Sequence, residues 1–223
     1  MCLLVNNKYD IVSNEVIDME IKKTDRRIRK TEKQLREGLL ELLKKKKIQD
    51  ITVQELVDEV DINRSTFYLH YKDIYDLLEQ IEQDYFADFN DFIESHKFKK
   101  GSGLISNGKI VDTFIDYFEF LKDHKDLITV LIGYNGDPTF SRHQLKKLTQ
   151  TISNWIYVDI GISKSQKSED VFEYCMYGSI GLVRKWVING YEESPESIGK
   201  LAGSIIVSTV QQFLLNPNYI NKN

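Results

Sequence analysis

Cysteine, proline and glycine are all scarce in this chain: its 223 residues hold two Cys, three Pro and twelve Gly. Cys2 and Cys175 lie too far apart in sequence to form a metal-ligand pair, which fits a reducing compartment and excludes a disulfide-stapled scaffold. Few prolines and glycines leave long Leu/Ile/Lys/Glu-rich stretches uninterrupted, as a mostly helical protein requires. No apolar run approaches the eighteen or so residues of a membrane span. The opening segment lacks a basic n-region and a small-residue cleavage site, so it reads as no signal peptide. The four histidines (70, 96, 124 and 143) show no HExxH or similar spacing, and there is no GxSxG or Gly-rich phosphate loop. No metal, no cofactor and no enzyme activity are therefore expected.

What is present is a balanced globular composition, 41% hydrophobic and 29% charged, with a net charge of −4 that hides an asymmetry. Between Glu20 and Asp50 twelve Lys/Arg stand against six Asp/Glu, a net of +6. The rest of the chain is acidic. A basic helix on an acidic body suits one local polyanion contact better than general nucleic-acid coating.

Residues 24–47 place Ile28, Leu35, Leu39, Leu42 and Leu43 on one helical stripe, with cations in the last turn where the helix dipole favours them. Met19, just before this basic pattern, is a candidate translation start. Residues 1–18 then read as an upstream extension, and 1–23 as disordered. After "IQDI" breaks the pattern, Thr52 and Glu55 have capping-box spacing before the apolar stripe Val53, Leu56, Val57, Val60. Asn63 is a good cap for a second short helix, with Ile62 and Phe67 placed for a hydrophobic staple. Residues 52–71 thus read as helix, tight turn, short helix, a helix-turn-helix.

A helix of about seven residues is not stable alone, so Phe67 and Tyr71 must pack inward. The front then presents Arg64, Ser65, Thr66 and Leu69, with Tyr68 and His70 at the edges. Arg suits a bidentate guanine contact, Ser and Thr suit base edges or phosphates, and Tyr and His suit phosphates that fix register. From Lys72 a long helix carries Ile74, Leu77, Leu78, Ile81, Tyr85, Phe86, Phe89 and Phe92 on one face, and 97–109 reads as a linker. Helices follow over 110–132 (two, broken near Asp123-His124), from "TFSRH" to Gly161, over 168–190 with a Ser168 cap, and over 194–215 with Ser194 as cap and Pro195 at the first position. "YNGDP" (134–138) reads as a loop. Cys175 reads as a buried small hydrophobe.

The stretch "ITVQELVDEVDINRSTFYLHYKDIYDLL" resembles the DNA-binding head of the TetR/AcrR family of bacterial transcriptional regulators. The basic helix before it fits, and "YGSIGLVRKWVINGYEESPESIGKLAGSII" resembles more loosely the last two helices of one C-terminal subgroup. The resemblance implies an all-α fold: a three-helix head with a helix-turn-helix (24–72), joined by a long fourth helix to a helical ligand-binding and dimerisation domain (73–223). By position it makes Gln54, Arg64, Ser65 and Thr66 face bases, and Thr52, Tyr68, His70 and Lys72 hold phosphates. It departs from the family at Ile74, where a Lys is usual. It implies a cytoplasmic homodimer that binds a palindromic double-stranded DNA operator, as a repressor answering to an unidentified small-molecule effector. Tyr117, Phe118, Trp155 and Phe172 are the candidate ligand-lining residues. For the dimer seam, Ile198, Leu201, Ala202, Ile205, Thr209 and Phe213 form a stripe on which Gly199 and Gly203 admit a partner's helix. Gly178, Gly181, Val183 and Trp186 join it from the preceding helix. Two other readings stay open: a co-regulator of the same fold that no longer binds DNA, and a helical small-molecule binding module.

Overall fold

A computed structural model describes residues 7–97, 101–132 and 138–216, with side chains from residue 26 onward apart from 138–141, 144 and 145. Among the described residues there are nine α-helices and no strand: α1 Asn7–Lys45, α2 Val53–Glu59, α3 Arg64–His70, α4 Ile74–Ser95, α5 Lys109–Asp123, α6 Lys125–Ile132, α7 Pro138–Ile160, α8 Gln166–Ile188 and α9 Pro195–Val210. The expected all-α fold is the one observed. α1 begins well ahead of residue 24, so the stretch 7–23, expected as a disordered extension, is helical here. Residues 1–6 lie outside the described residues, as does most of the loop expected over 134–138.

The chain divides into two compact units, Met1–Glu82 and Gln83–Asn223. The division falls inside α4 rather than at residue 72. The segment 97–109 is likewise no free linker where it is described. Leu104 is fully buried and Ile105 nearly so. The Asp159 carboxylate at the end of α7 accepts from Ser102 Oγ (3.0 Å), Gly103 N (3.0 Å) and Leu104 N (2.8 Å). A Gly- and Ser-rich composition marks a chain that can turn, and here the turn is clipped down by one acid.

In the first unit Leu35, Leu39, Leu42 and Leu43 of α1 are buried as the stripe predicts, while Ile28 is 42% exposed. Gly38 faces Val60 and Leu56 so closely that an added Cβ would collide with Val60 Cγ1, which lets α1 and α2 pack tightly. In the second unit an aromatic cluster holds α4 to α5: Phe89 and Phe92 stack nearly parallel, and the Phe120 ring lies 5.8 and 5.4 Å from them. Two reciprocal bridges flank it. His96 of α4 reaches Asp116 Oδ2 at 3.0 Å, and His124 after α5 reaches Asp88 Oδ2 of α4 at 3.2 Å.

α9 lies against α5. Ile198, Ala202, Ile206 and Val210 are buried there, together with Gly199 and Gly203. A Cβ on Gly199 would stand 2.6 Å from Ile115 Cα, and one on Gly203 2.7 Å from Val111 Cα. These two glycines therefore serve a contact within the chain and not, as expected, the approach of a partner helix. Backbone-to-backbone proximity is what glycine permits, and spacing alone does not say whose backbone comes close. With its terminal π turn, α9 spans Pro195–Leu215 and is, by length and composition, long and apolar enough to cross a membrane, contrary to the sequence expectation. Packing on α5 buries 39% of its apolar window.

α8 starts three residues earlier than expected: Ser165 is its cap, and Ser168 completes a capping box from the third helical position. The break between α5 and α6, the stop at Gly161 and the Ser194/Pro195 start of α9 fall where expected.

Candidate nucleic-acid interface and ligand cleft

The helix-turn-helix is built by two local devices. Thr52 caps α2 by accepting from Glu55 N (3.2 Å), but the Glu55 carboxylate pairs with Lys46, just past the end of α1, instead of completing a capping box. At the other end Ile62 N donates to Val57 O (2.9 Å) around Asp61, whose φ is +52°. This is a Schellman turn with an aspartate in the left-handed position that glycine usually fills. It reverses the chain within three residues. Asn63 then caps α3, its Oδ1 accepting from Ser65 N (2.9 Å) and Ser65 Oγ (3.0 Å).

α3 is anchored from behind by Phe67, fully buried, and by Tyr71 just past its end, whose ring centroid lies 5.9 Å from that of Phe67. Its front carries Arg64 and Ser65, both exposed, with Thr66 half-buried. Leu69 is 83% exposed. The Arg64 guanidinium donates to Tyr68 OH (3.1 Å) and sits 5.5 Å from that ring's centroid, so the tyrosine holds the arginine at the front. His70 is half-buried, its Nδ1 3.3 Å from Glu32 Oε1 of α1. Gln54 is exposed on α2 and bonds Asp58 (2.8 Å). Lys72 is exposed, its backbone N–H bound by Asp76 at the start of α4. Ile74 is 4% exposed and belongs to the core. Thr52, Gln54, Arg64, Ser65, Thr66, Tyr68, His70 and Lys72 thus all lie on the helix-turn-helix or its flanks in one unit.

The four aromatic residues expected to line a ligand site divide. Tyr117 and Phe118 are core residues of α5, 2% and 0% exposed, with Phe118 edge-on to Trp186. Trp155 is also buried and does not line the cleft described next. Helical apolar spacing marks core and pocket lining alike, and here it marked core. Phe172 does line an open cleft of about 640 Å³ between α7 and α8. One wall is α7, with Arg142, Lys146, Gln150, Ser153 and Asn154; the other is α8, with Glu169, Glu173 and Tyr177. Tyr157 forms part of the floor, its OH fixed to Ser168 Oγ at 2.7 Å, and Lys164 lies 5.6 Å from its ring centroid. The polar lining was not singled out from the sequence, because an amphipathic helix shows the same polar residues on a face that merely meets water.

Elsewhere on α8, Tyr174 is 77% exposed near Gly178 and Gly181, and a Cβ on either glycine would meet nothing within 4 Å. On α9, Leu201 and Ile205 are exposed at 48% and 44%. Of the residues expected at a dimer seam, Ile198, Ala202, Val183 and Trp186 are instead buried within the chain. Cys175 is buried as expected, and burial pushes its thiol upward, with a hydrogen bond to Thr209 opposing. Among the described residues no group of three or more His, Cys, Asp or Glu side chains could hold a metal ion.

Known proteins agree with this architecture. Residues 109–208 match the TetR-type family described as a transcriptional regulator C-terminal region. A Bacillus subtilis (strain 168) protein described as the uncharacterized HTH-type transcriptional regulator YxbF is 38% identical over 50 residues; the match covers 22% of this chain and 13% of that protein's length. Among solved structures, a tetR-family transcriptional regulator from Streptomyces coelicolor superposes with a TM-score of 0.58 at 13% identity, covering 86% of this chain and 85% of that one. A TetR transcriptional regulator from Streptococcus agalactiae does so with a TM-score of 0.53 at 21% identity, over 83% and 98% of the two chains.

Proposed function

We propose that this chain is a transcriptional regulator of the TetR type, as the match over residues 109–208 and the shared fold support, and that it is a cytoplasmic, homodimeric repressor that binds a palindromic operator through α3 and releases it on binding a small-molecule effector. The observation that carries this reading is the front of α3. A seven-residue helix anchored by buried Phe67 presents Arg64, Ser65, Thr66 and a solvent-exposed Leu69.

Arg64, held by Tyr68, is placed for a bidentate contact to guanine in the major groove, and Leu69 for a thymine methyl. Ser65, Thr66 and Gln54 face neighbouring base edges. Thr52, Tyr68, His70 and Lys72 hold phosphates and set the register. The basic α1, net +6 from Glu20 to Asp50, adds attraction that carries no sequence information. The dimer forms through the exposed faces of α8 and α9, where Gly178 and Gly181 let a partner helix approach. Two recognition helices must sit about 34–36 Å apart to enter successive major grooves. An effector that alters the second unit changes this spacing through α4, and a coupling of about 1–3 kcal/mol suffices.

The test is binding of the full chain to duplex DNA across a range of salt. Arg64→Ala should cost about 1–3 kcal/mol on the cognate site and relax preference at one base pair. Lys72→Ala should weaken all duplexes alike and lower the salt slope by about one. Affinities equal to the parent's in both variants would refute the assignment.

A further inference from the structure

We propose that the cleft between α7 and α8 binds an amphoteric molecule of dipeptide size, its anionic group taken by the α7 wall and its cationic group by the α8 wall. Arg142 and Lys146 stand one helical turn apart on α7, and Glu169 and Glu173 one turn apart on α8. Cations of α7 thus face carboxylates of α8, and a third cation, Lys164 of the connecting loop, lies over the Tyr157 ring. Yet among the described residues none of the four makes an ion pair within 4.0 Å. Elsewhere in the chain neighbouring charges do close, as in Lys200–Glu196 on α9, Lys44–Glu41 on α1 and Lys46, just past α1, with Glu55 of α2. The cleft holds its two signs apart, and a ligand carrying both would bridge them.

The rest of the lining fits the same class. Phe172 is 1% exposed and gives the cleft an apolar floor beside the anchored Tyr157 ring. Gln150 and Asn154 of α7 offer amides that pair with an amide backbone. The volume, about 640 Å³, lies within the range typical of small-molecule sites. A simple anion attracted to Arg142 and Lys146 would also face the two glutamates, and a simple cation would meet the converse repulsion. Only a molecule with both charges gains from both walls. That such a ligand would be the effector rests on the regulatory reading above; that the cleft binds it does not.

The test is titration calorimetry of the full chain with glycyl-L-phenylalanine, its N-acetyl form and its C-terminal amide, so that each charge is removed in turn. The free dipeptide should bind about tenfold or more tightly than either capped form, as loss of a charged partner predicts. Arg142→Gln with Lys146→Gln should abolish the dipeptide's advantage over its amide, weakening the dipeptide while relieving the repulsion that the cationic amide meets. Glu169→Gln with Glu173→Gln should do the same for the acetylated form. All four side chains are exposed, so thermal melts matching the parent will verify the fold. Equal binding of the three ligands, no binding at millimolar concentration, or discrimination that survives both double substitutions would overturn the proposal. A dipeptide that binds without altering operator affinity removes only its role as effector. A cleft that binds nothing beside intact sequence-specific DNA binding removes only the cleft.

Discussion

Gly199→Ala is expected to destabilise the second unit although alanine is the better helix former. An added Cβ would lie 2.6 Å from Ile115 Cα, 2.8 Å from Ile115 N and 2.9 Å from Phe114 O. All three are backbone atoms of α5, so no side chain can swing aside. Restoring ordinary contact at 3.4 Å moves α5 back by about 0.8 Å. A gap of that size forfeits about a quarter to a half of the dispersion energy along the seam formed by Ile198, Ala202, Ile206 and Val210. Overpacking of this kind costs about 1–3 kcal/mol, against about 1 kcal/mol gained from helix propensity. The net loss is up to about 2 kcal/mol, a fall in Tm of up to roughly 8 °C at about 2–4 °C per kcal/mol. Gly181→Ala is the control, because its Cβ would meet nothing within 4 Å of the same chain. In a monomeric reference state it should gain up to about 1 kcal/mol from propensity. The assay is urea unfolding followed by helical circular dichroism, repeated over a wide range of protein concentrations. A Gly199→Ala protein as stable as the Gly181→Ala control would refute the close α5–α9 contact.

Asp159→Ala should cost about 1–3 kcal/mol per amide left without a partner, since the carboxylate binds Gly103 N and Leu104 N together, and urea denaturation will measure it. Asp61→Gly relieves a left-handed residue at a Schellman turn and should raise the stability of the head by about 1 kcal/mol in the same experiment. Burial holds the Cys175 thiol protonated beyond the usual range, so iodoacetamide at neutral pH should modify it far more slowly in the folded chain than in urea. Reaction at the rate of the unfolded chain would contradict that burial.

The sequence disclosed what local chemistry decides. The caps at Thr52, Asn63 and Ser194, the break at Asp123-His124 and the buried stripe of α1 are written in neighbouring residues, and the structure has them there. The front of α3 was legible for the same reason, because a seven-residue helix leaves little choice of which side is buried. What failed was everything that depends on which distant element arrives. Gly199 and Gly203 were correctly read as a close-approach surface and assigned to the wrong neighbour, since α5 and not a partner takes it. The segment 101–108 has a linker's composition, but Asp159, more than fifty residues away, holds it down. Tyr117 and Phe118 carry the apolar character of a pocket and fill the core instead, while the cleft is lined by polar residues of α7 that looked like solvated surface.

The central claim, that α3 reads a twofold-symmetric DNA site, is tested most directly by selecting bound duplexes from a random pool with the full chain at near-physiological salt. The account predicts one enriched sequence with two inverted half-sites whose centres lie about 34–36 Å apart or a multiple of that. It predicts as well that Arg64→Ala loses preference at one position in each half. A pool that shows no enrichment, or one whose enriched sequence is unchanged by Arg64→Ala, would contradict it.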